Sequence, residues 1–371
     1  MIKKLRTFLP FIVALVLAGI IIVGLAIFDT LQPKLSTTPN DESISGDIHE
    51  IPKYYSSLTG EEISDGSLNS SPTYCVQIPN GADGARPHVG LTQAGVVFEA
   101  IAEAGITRFA AIFQNPTASA IGPIRSLRTY YLQWDTPFDC TIVHAGGSDD
   151  ALAALRAGGY RDLTESLVYM WRDYSGYWAP NNLFTSANLL QAYSTDHGYT
   201  ASKVAGFPRL KPDEASEIAA ANVKNSTSQN ISINFGYVAT FNTNYVYDAT
   251  TNSYLRSYAD GQPHLSYSCP DTTKPRPKND CGEPIQVAPK AVAVMVVNQS
   301  TAWDNYHQDI QAIGSGEAYV FQNGEAVHGS WTKSSINSQI VFKDSAGNEI
   351  AFTPGQLWIA AIPKSVGSVE Y

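Results

Sequence analysis

Two arginines lie three residues apart directly after a Gly-Pro turn, in the segment Ile121-Gly-Pro-Ile-Arg-Ser-Leu-Arg128. If a helix begins at Ile124 after this turn, Arg125 and Arg128 project from one face of it. Arginine makes paired hydrogen bonds to carboxylates and phosphates, so two neighbouring guanidinium groups can hold an anionic group. The segment therefore predicts a binding site for an anion.

Further charged and polar residues flank this segment within about one βαβ unit. Glu99, Glu103 and Arg108 lie in an apolar run upstream, and His144 and Ser148 lie on either side of a Gly-Gly turn downstream. Two interpretations remain open. The arginines bind a ligand together with Glu99 and His144, or they form buried ion pairs with the glutamates that stabilise the core.

These residues do not complete a catalytic or metal-binding arrangement. His144 and Ser148 are only four positions apart, and the Gly-x-Ser-x-Gly turn of serine hydrolases is absent from the sequence. His144 followed by Asp149 or Asp150 lacks the helical His-x-x-x-His pair of zinc enzymes. We therefore expect binding or scaffolding rather than catalysis, with no metal and no cofactor.

The N-terminal segment predicts attachment to a membrane. Lys3, Lys4 and Arg6 precede 21 uncharged residues from Phe8 to Phe28, which is long enough to cross a hydrocarbon core of about 30 Å. The basic flank is expected to stay in the cytoplasm, which places the rest of the chain on the outer face of a single-pass protein. A cleaved signal peptide is the alternative, although its apolar region is usually shorter.

Composition and patterning divide the chain into four parts. Residues 1–31 hold the basic flank and the transmembrane helix, and residues 32–71, rich in Ser, Thr, Pro, Gly and acidic residues, predict a flexible spacer. Residues 72–206 alternate short apolar strands with helices, which predicts an α/β sandwich domain. Residues 222–371 show period-2 strands broken by Asn-Gly and Ala-Gly turns, which predicts a mainly antiparallel β domain. The expected fold class is α+β or α/β.

The same patterning locates the elements of the first globular part. We expect strands at 74–78, 96–103, 109–114, 141–144 and 167–171, and helices at 125–134, 149–157 and 186–191.

The charge balance limits the classes of partner. The chain carries 24 Lys and Arg against 34 Asp and Glu, for a net charge of −10. Such a protein is repelled by nucleic-acid phosphates and by anionic lipid, so nucleic acid is not an expected partner. No protein partner is indicated.

All four cysteines follow the apolar span, and none has the short spacing of a zinc site. Disulfides are the expected use in an oxidising compartment. Cys269 and Cys281 close a short, proline-rich loop, so we pair them. Cys75 and Cys140 each begin an apolar strand and are expected to pair side by side in one sheet; two buried free thiols are the alternative.

Several blocks, in the right order, resemble the YerB-like lipoprotein family over residues 72–371. They are Pro87-His-Val-Gly-Leu-Thr-Gln-Ala94, the segment at 121–128, His144-Ala-Gly-Gly-Ser148, Ala291-Val-Ala-Val-Met-Val-Val-Asn298 and Pro354-Gly-Gln-Leu-Trp358. Trp171-Arg-Asp173 is similar to a later block of the family, which adds Arg172 to the candidate ligand-binding residues. The family commonly carries a lipidated cysteine after its signal, which this chain lacks, and the resemblance implies no established activity.

A second resemblance supplies an enzymatic alternative. The Ile-Arg-Ser segment followed by Ala145-Gly-Gly-Ser-Asp-Asp-Ala-Leu-Ala-Ala-Leu155 is similar to the arginine segment and Gly-Gly helix of the LytR-CpsA-Psr cell-wall ligases. It implies an enzyme acting on a phosphate-containing, lipid-linked substrate.

Together these features predict a membrane-anchored, extracytoplasmic protein of the bacterial cell envelope. Its groove is expected to bind an anionic ligand or a cell-wall component. The candidate ligand-binding residues are Glu99, Arg108, Arg125, Arg128, His144, Ser148 and Arg172.

Overall fold

The computed structural model describes residues 53–82, 84–223 and 230–371. Residues Pro52–Tyr371 form one compact unit. The apolar span predicted at 8–28 lies outside the described residues. Within them, no helix is both long enough and apolar enough to cross a membrane.

The strands of the first half of the chain follow the apolar runs of the sequence. They are β1 (Tyr54–Tyr55), β2 (Glu62–Ile63), β3 (Thr73–Pro79), β4 (His88–Val89), β5 (Val96–Ile101), β6 (Thr107–Gln114), β7 (Cys140–Val143), β8 (Arg161–Leu163), β9 (Trp171–Arg172) and β10 (Leu183–Phe184). The predicted strand at 167–171 is wrong. Tyr169 N donates to Ser166 O at 3.1 Å, which closes a turn, and the chain becomes extended only at Trp171.

The second half is richer in strands. They are β11 (Asn230–Asn234), β12 (Thr243–Asp248), β13 (Ser253–Tyr258), β14 (Leu265–Tyr267), β15 (Ile285–Gln286), β16 (Ala291–Val297), β17 (Gln299–Thr301), β18 (Gln308–Ile310), β19 (Gly314–Gln322), β20 (Glu325–Lys333), β21 (Val341–Asp344), β22 (Leu357–Pro363) and β23 (Ser368–Glu370). Asn323 and Gly324, with φ of 54° and 76°, form the tight turn between β19 and β20 that an Asn-Gly pair favours.

The helices are short. They are α1 (Thr129–Asp135), α2 (Asp149–Arg156), α3 (Ala187–Asp196), α4 (Pro212–Val223) and α5 (Pro277–Asp280). In α2, Asp149 and Asp150 lie in the first turn and Arg156 in the last, which is the charge order that a helix dipole favours. The predicted mixture of helices with a large sheet is confirmed, and strands predominate.

A ten-stranded sheet runs through the whole unit, in the order β21-β20-β19-β16-β22-β5-β6-β3-β7-β8. The two predicted domains contribute five adjacent strands each. They meet where β22 and β5 pair in parallel, from Leu357 opposite Val96 to Ala361 opposite Ala100. β5, β16 and β22 are near-continuous apolar runs, as expected for strands covered on both faces.

Alternate side chains of these central strands enter two apolar layers. Phe98 packs in a layer with Trp134 and the rest of α1 and α2. Val97 packs in the opposite layer, which is covered by α3 and by a second sheet of order β13-β12-β11-β23. Residues from both halves of the chain therefore pack in the layer that contains α1 and α2.

Both predicted disulfides are confirmed. Cys75 and Cys140 join neighbouring strands β3 and β7, and Cys269 and Cys281 close the loop between β14 and β15. Residues 53–71, predicted as the end of the spacer, pack on the core instead. Leu58 is 2% exposed, and its carbonyl accepts a hydrogen bond of 2.6 Å from Arg209 Nη2.

Candidate functional site

Two of the predicted arginines converge on one carboxylate. Arg108 Nη2 lies 3.1 Å from Glu103 Oε2, and Arg128 Nε hydrogen-bonds Glu103 Oε1. Arg108, Arg128 and Glu103 are 7%, 5% and 8% exposed. Each guanidinium group makes one further hydrogen bond to a backbone carbonyl, since Arg108 Nη1 donates to Ser126 O at 2.8 Å and Arg128 Nη1 to Leu127 O at 2.7 Å. The guanidinium groups are thus held by the protein itself.

The backbone that carries these arginines differs from the prediction. α1 begins at Thr129, and Arg128 is its extended N-cap residue with φ −127° and ψ 152°. The expectation that Arg125 and Arg128 share a helix face is therefore wrong. The segment is extended because its neighbours hold it: Arg125 N donates to Gln77 O at 2.8 Å, and Leu127 forms a bridge with Gly147.

The charges of this cluster are balanced locally. Burial alone would raise the pKa of Glu103, but the hydrogen bond from Arg128 and the charges of both arginines outweigh it, so the pKa lies below its usual value. Burial lowers the pKa of Arg108. His307 Nε2 lies 3.7 Å from Glu103 Oε1, and His307 Nδ1 hydrogen-bonds Asp304. The region therefore contains two carboxylates, those of Glu103 and Asp304, and the two guanidinium groups of the cluster.

Glu99 lies elsewhere, in a fully buried ion pair with Arg256. Arg256 Nη2 donates to both carboxylate oxygens of Glu99 at 2.9 Å, and both side chains are 0% exposed. Thr107 Oγ1 and Trp358 Nε1 donate to the same carboxylate, each at 2.9 Å. Glu99 is therefore a core residue that joins the two halves of the chain, and it does not face the arginines of the cluster.

A chain of two histidines continues from Arg256. Its Nη1 donates to His264 Nδ1, so the proton of that neutral ring lies on Nε2. His264 Nε2 then donates to His88 Nδ1 at 2.8 Å, and His88 Nε2 donates to Pro79 O at 2.8 Å. Burial lowers the pKa of His88 to about 3 and that of His264 well below its ordinary value. Every polar atom of the chain is satisfied with both rings neutral.

The other predicted site residues are dispersed. The ring nitrogens of His144 lie 2.7 Å from Gly146 O and 2.8 Å from Asp162 Oδ1. Arg172 lies 2.7 Å from Asn182 Oδ1 and 2.5 Å from Glu165 Oε1. Ser148 is the N-cap residue of α2, where its side chain makes no capping hydrogen bond. Of these three, only Ser148 lines the cleft described next.

A cleft of about 260 Å³ opens beside the arginine cluster. It lies between the first turns of α1 and α2 and the hairpin formed by β17 and β18. Its lining residues are Thr129, Tyr130, Ser148, Asp149, Asp150, Thr301, Ala302, Trp303, Asp304, His307, Gln308 and Asp309. Among the described residues that line it, four are carboxylates and none is Lys or Arg.

The hairpin is held to the rest of the molecule by polar side chains. Trp303 Nε1 donates to Asp150 Oδ2 at 3.1 Å, while the side chain stays 73% exposed. The hydrogen bond from His307, with two further bonds from backbone N–H groups, lowers the pKa of Asp304 to about 2. The indole of Trp303 therefore lies at the edge of the cleft, joined to α2 by one hydrogen bond, with much of its surface open to solvent.

A second cavity of about 440 Å³ lies beside the base of the hairpin. The two share Asp309, and the second is lined by Gln133 of α1 and by the polar side chains of Asn298, Gln299 and Gln311. Both cavities border α1, the first at Thr129 and Tyr130 and the second at Gln133. We call the two cavities together the α1 groove.

Sequence reasoning missed most of the α1 groove. Trp303, Asp304, His307 and Asp309 belong to a polar loop that lies far along the chain from the arginine segment. The available signal was a Trp and a Tyr in the run Thr301-Ala-Trp-Asp-Asn-Tyr-His307, since large aromatics in a polar turn are unusual unless they contact something. In the described part of the chain, no group of His, Cys, Asp and Glu residues is arranged to hold a metal ion.

Comparison with known proteins assigns the family. The descriptions "Protein of unknown function (DUF3048) N-terminal domain" and "Protein of unknown function (DUF3048) C-terminal domain" match residues 58–200 and 231–359. "Putative lipoprotein YerB" of Bacillus subtilis (strain 168) is 30% identical over 293 residues, which are 77% of this chain and 80% of that protein. The chain belongs to the YerB-like family.

A solved structure of the YerB-like family has the same fold. The crystal structure of YerB protein from Bacillus subtilis covers 86% of this chain and 100% of its own, with a TM-score of 0.70 and 26% sequence identity. The two matched segments meet in the ten-stranded sheet, where β5 lies in the first and β22 begins at the end of the second. The YerB-like family description gives no activity, so function has to be argued from the α1 groove.

Proposed function

We propose that this YerB-like protein is an extracytoplasmic envelope protein that binds a cell-wall glycan in the α1 groove. The observation that carries the proposal is Trp303, a 73% exposed indole that is fixed to Asp150 at the edge of an open, polar groove. A rigid aromatic side chain presents a large apolar face at low entropic cost, which suits the flat faces of sugar rings.

The rest of the lining suits the same class of ligand. Thr129, Ser148 and Gln308 offer hydroxyl and amide groups, and the aspartates offer strong acceptors. Sugar hydroxyl groups are donors as well as acceptors, so such a surface can pair with many of them. Because both cavities are open to solvent rather than enclosed, they suit a segment of a polymer that extends beyond them.

An anionic ligand, including a lipid-linked phosphate as in the LytR-CpsA-Psr alternative, fits the groove less well. The carboxylates on the lining would repel a phosphate. Arg108 and Arg128, which that alternative would need, are buried and bound to Glu103. The charge pattern therefore favours a neutral or cationic ligand.

Two carboxylates of this region are poorly suited to glycoside cleavage. Cleavage needs a carboxylic acid that is protonated near neutral pH. The pKa of Asp304, which lines the groove, is lowered to about 2, and that of Glu103 in the arginine cluster lies below its usual value, so neither can donate that proton.

Location in the envelope is supported by two features. The disulfides suit an oxidising compartment, and the relative from Bacillus subtilis is named as a lipoprotein. Attachment through the apolar span at 8–28 remains part of this proposal.

The test is sedimentation of the purified protein with isolated Bacillus subtilis cell walls. Trp303→Ala should abolish most of the bound fraction. Trp178→Ala is the matched control, since Trp178 is also 73% exposed but does not line the groove. Equal retention of the parent and the Trp303 variant on the walls would refute the proposal.

A further inference from the structure

We infer that the α1 groove selects a glycan that carries a primary amine, held as an ammonium group between the carboxylates of α2 and the indole face of Trp303. The inference rests on the proposed glycan binding and names the chemical group that is recognised. It is carried by three observations on different side chains.

The first observation is uncompensated negative charge. Asp149, Asp150 and Asp309 line the groove and have no ion-pair partner in the described part of the chain. Of the described lining carboxylates, Asp304 differs in that it hydrogen-bonds a histidine, His307. A neutral sugar would leave these negative charges uncompensated. An ammonium group supplies the positive charge that pairs with them.

The second observation is the position of the indole. Trp303 Nε1 donates to Asp150 Oδ2 at 3.1 Å, so the ring edge is joined to a carboxylate while its faces stay open. A cation is attracted by the face of a tryptophan ring, which is the best aromatic partner for this contact. An ammonium group beside Asp150 would therefore meet a carboxylate and an aromatic face together.

The third observation is a hydroxyl without a partner in the protein. Ser148 is 8% exposed and lines the groove, yet in the described ranges its side chain has no hydrogen bond, including the capping bond expected at a helix start. Solvent reaches this oxygen, so a ligand in the groove can take the place of solvent there. Ser148 can accept one of the three N–H bonds of an ammonium group.

The experiment compares hexamers of equal length by calorimetry: glucosamine hexamer, which is a polyamine, and fully N-acetylated glucosamine hexamer. A cell-wall stem peptide with a free lysine amine forms a third arm, because the same amine could come from a peptide. An amine-bearing probe should bind at least about tenfold more tightly than the acetylated hexamer. The arm that binds identifies the source of the amine.

The matched variants are D149N/D150N and D213N/E214Q, which remove two acidic charges from the first turn of α2 and of α4 respectively. An asparagine at 150 keeps an oxygen for Trp303 Nε1, so the indole stays fixed. D149N/D150N should lose the amine preference, while D213N/E214Q should keep it. Thermal melts of both variants check that they are folded.

The outcomes separate the two proposals. If the acetylated hexamer binds as tightly as the amine, or if D213N/E214Q loses the preference equally, the amine inference is overturned and glycan binding stands. If neither the hexamers nor isolated cell walls bind the parent protein, glycan binding falls as well.

Discussion

Arg256 and Glu99 form a doubly hydrogen-bonded ion pair, with both bonds at 2.9 Å and both side chains fully buried. Glu99 lies on β5 in the first matched segment of the chain, and Arg256 lies on β13 in the second. A charge that is buried with its partner is tolerable, but one left alone is costly. The pair therefore makes each half of the chain depend on the other.

Replacing Glu99 should reveal this dependence. Glu99→Gln leaves the Arg256 guanidinium buried without a counter-charge, so we expect a loss of about 3–5 kcal/mol in the free energy of unfolding. Urea denaturation of the purified protein measures it. Glu62→Gln is the control, because Lys53 and Glu62 form a pair at 3.8 Å with both side chains 57% exposed, and its loss should cost about 0–1 kcal/mol. Similar costs for the two variants would contradict the structural role.

The arginine cluster leads to a second expected outcome. Arg128→Ala removes one of the two cations that hold Glu103 in a buried site, so it should destabilise the protein by about 3–5 kcal/mol. Arg276→Ala, which disrupts a pair with Asp280 whose side chains are 59% and 31% exposed, should cost about 0–1 kcal/mol. Differential scanning calorimetry distinguishes them. A melting temperature of Arg128→Ala equal to that of the parent would instead favour the interpretation of the arginines as an open ligand site.

The buried histidines predict acid sensitivity. The pKa of His88 is lowered to about 3 from an ordinary value of 6.5. At pH values between these two, the unfolded chain therefore binds a proton at His88 more readily than the folded protein does. The stabilising effect of the neutral ring is complete above pH 6.5 and is lost as the pH falls towards 3. Each such histidine contributes a slope of up to about 1.4 kcal/mol per pH unit.

Unfolding free energies measured from pH 4 to pH 8 test this slope. His88→Gln should flatten the curve below pH 6.5, whatever its effect on stability at pH 8. His328→Gln, at a side chain that is 56% exposed, should leave the slope as in the parent. An unchanged slope in His88→Gln would mean that acid sensitivity arises elsewhere, in the carboxylates.

Local sequence patterns predicted much of the fold. The apolar runs at β3, β5, β6 and β7 gave strands with ends shifted by a few residues, since burial on both faces demands continuous apolar sequence. The disulfides were also predictable, because loop length and strand position limit which cysteines can meet. These features depend on neighbours in the sequence.

The failures depend on distant partners. The helix expected from Arg125 is extended because Gln77 and Gly147 bond its backbone, and Glu99 pairs with an arginine 157 positions away. The contact of Trp303 with Asp150 spans 153 positions. Sequence periodicity carries no information about such pairings. It therefore could not decide whether the arginines bind a ligand or form buried ion pairs, and it could not locate the groove.

The position of β22 has a consequence for the order of folding events during synthesis. This strand, near the C-terminus at Leu357–Pro363, occupies the centre of the large sheet between β16 and β5. Until it arrives, β5 has an unpaired edge, and an unpaired apolar edge invites pairing with another chain. Folding therefore cannot finish vectorially from the N-terminus: the nascent chain has to be kept from self-association until almost its last residues emerge, and a product truncated before Leu357 would lack the strand that unites its two halves.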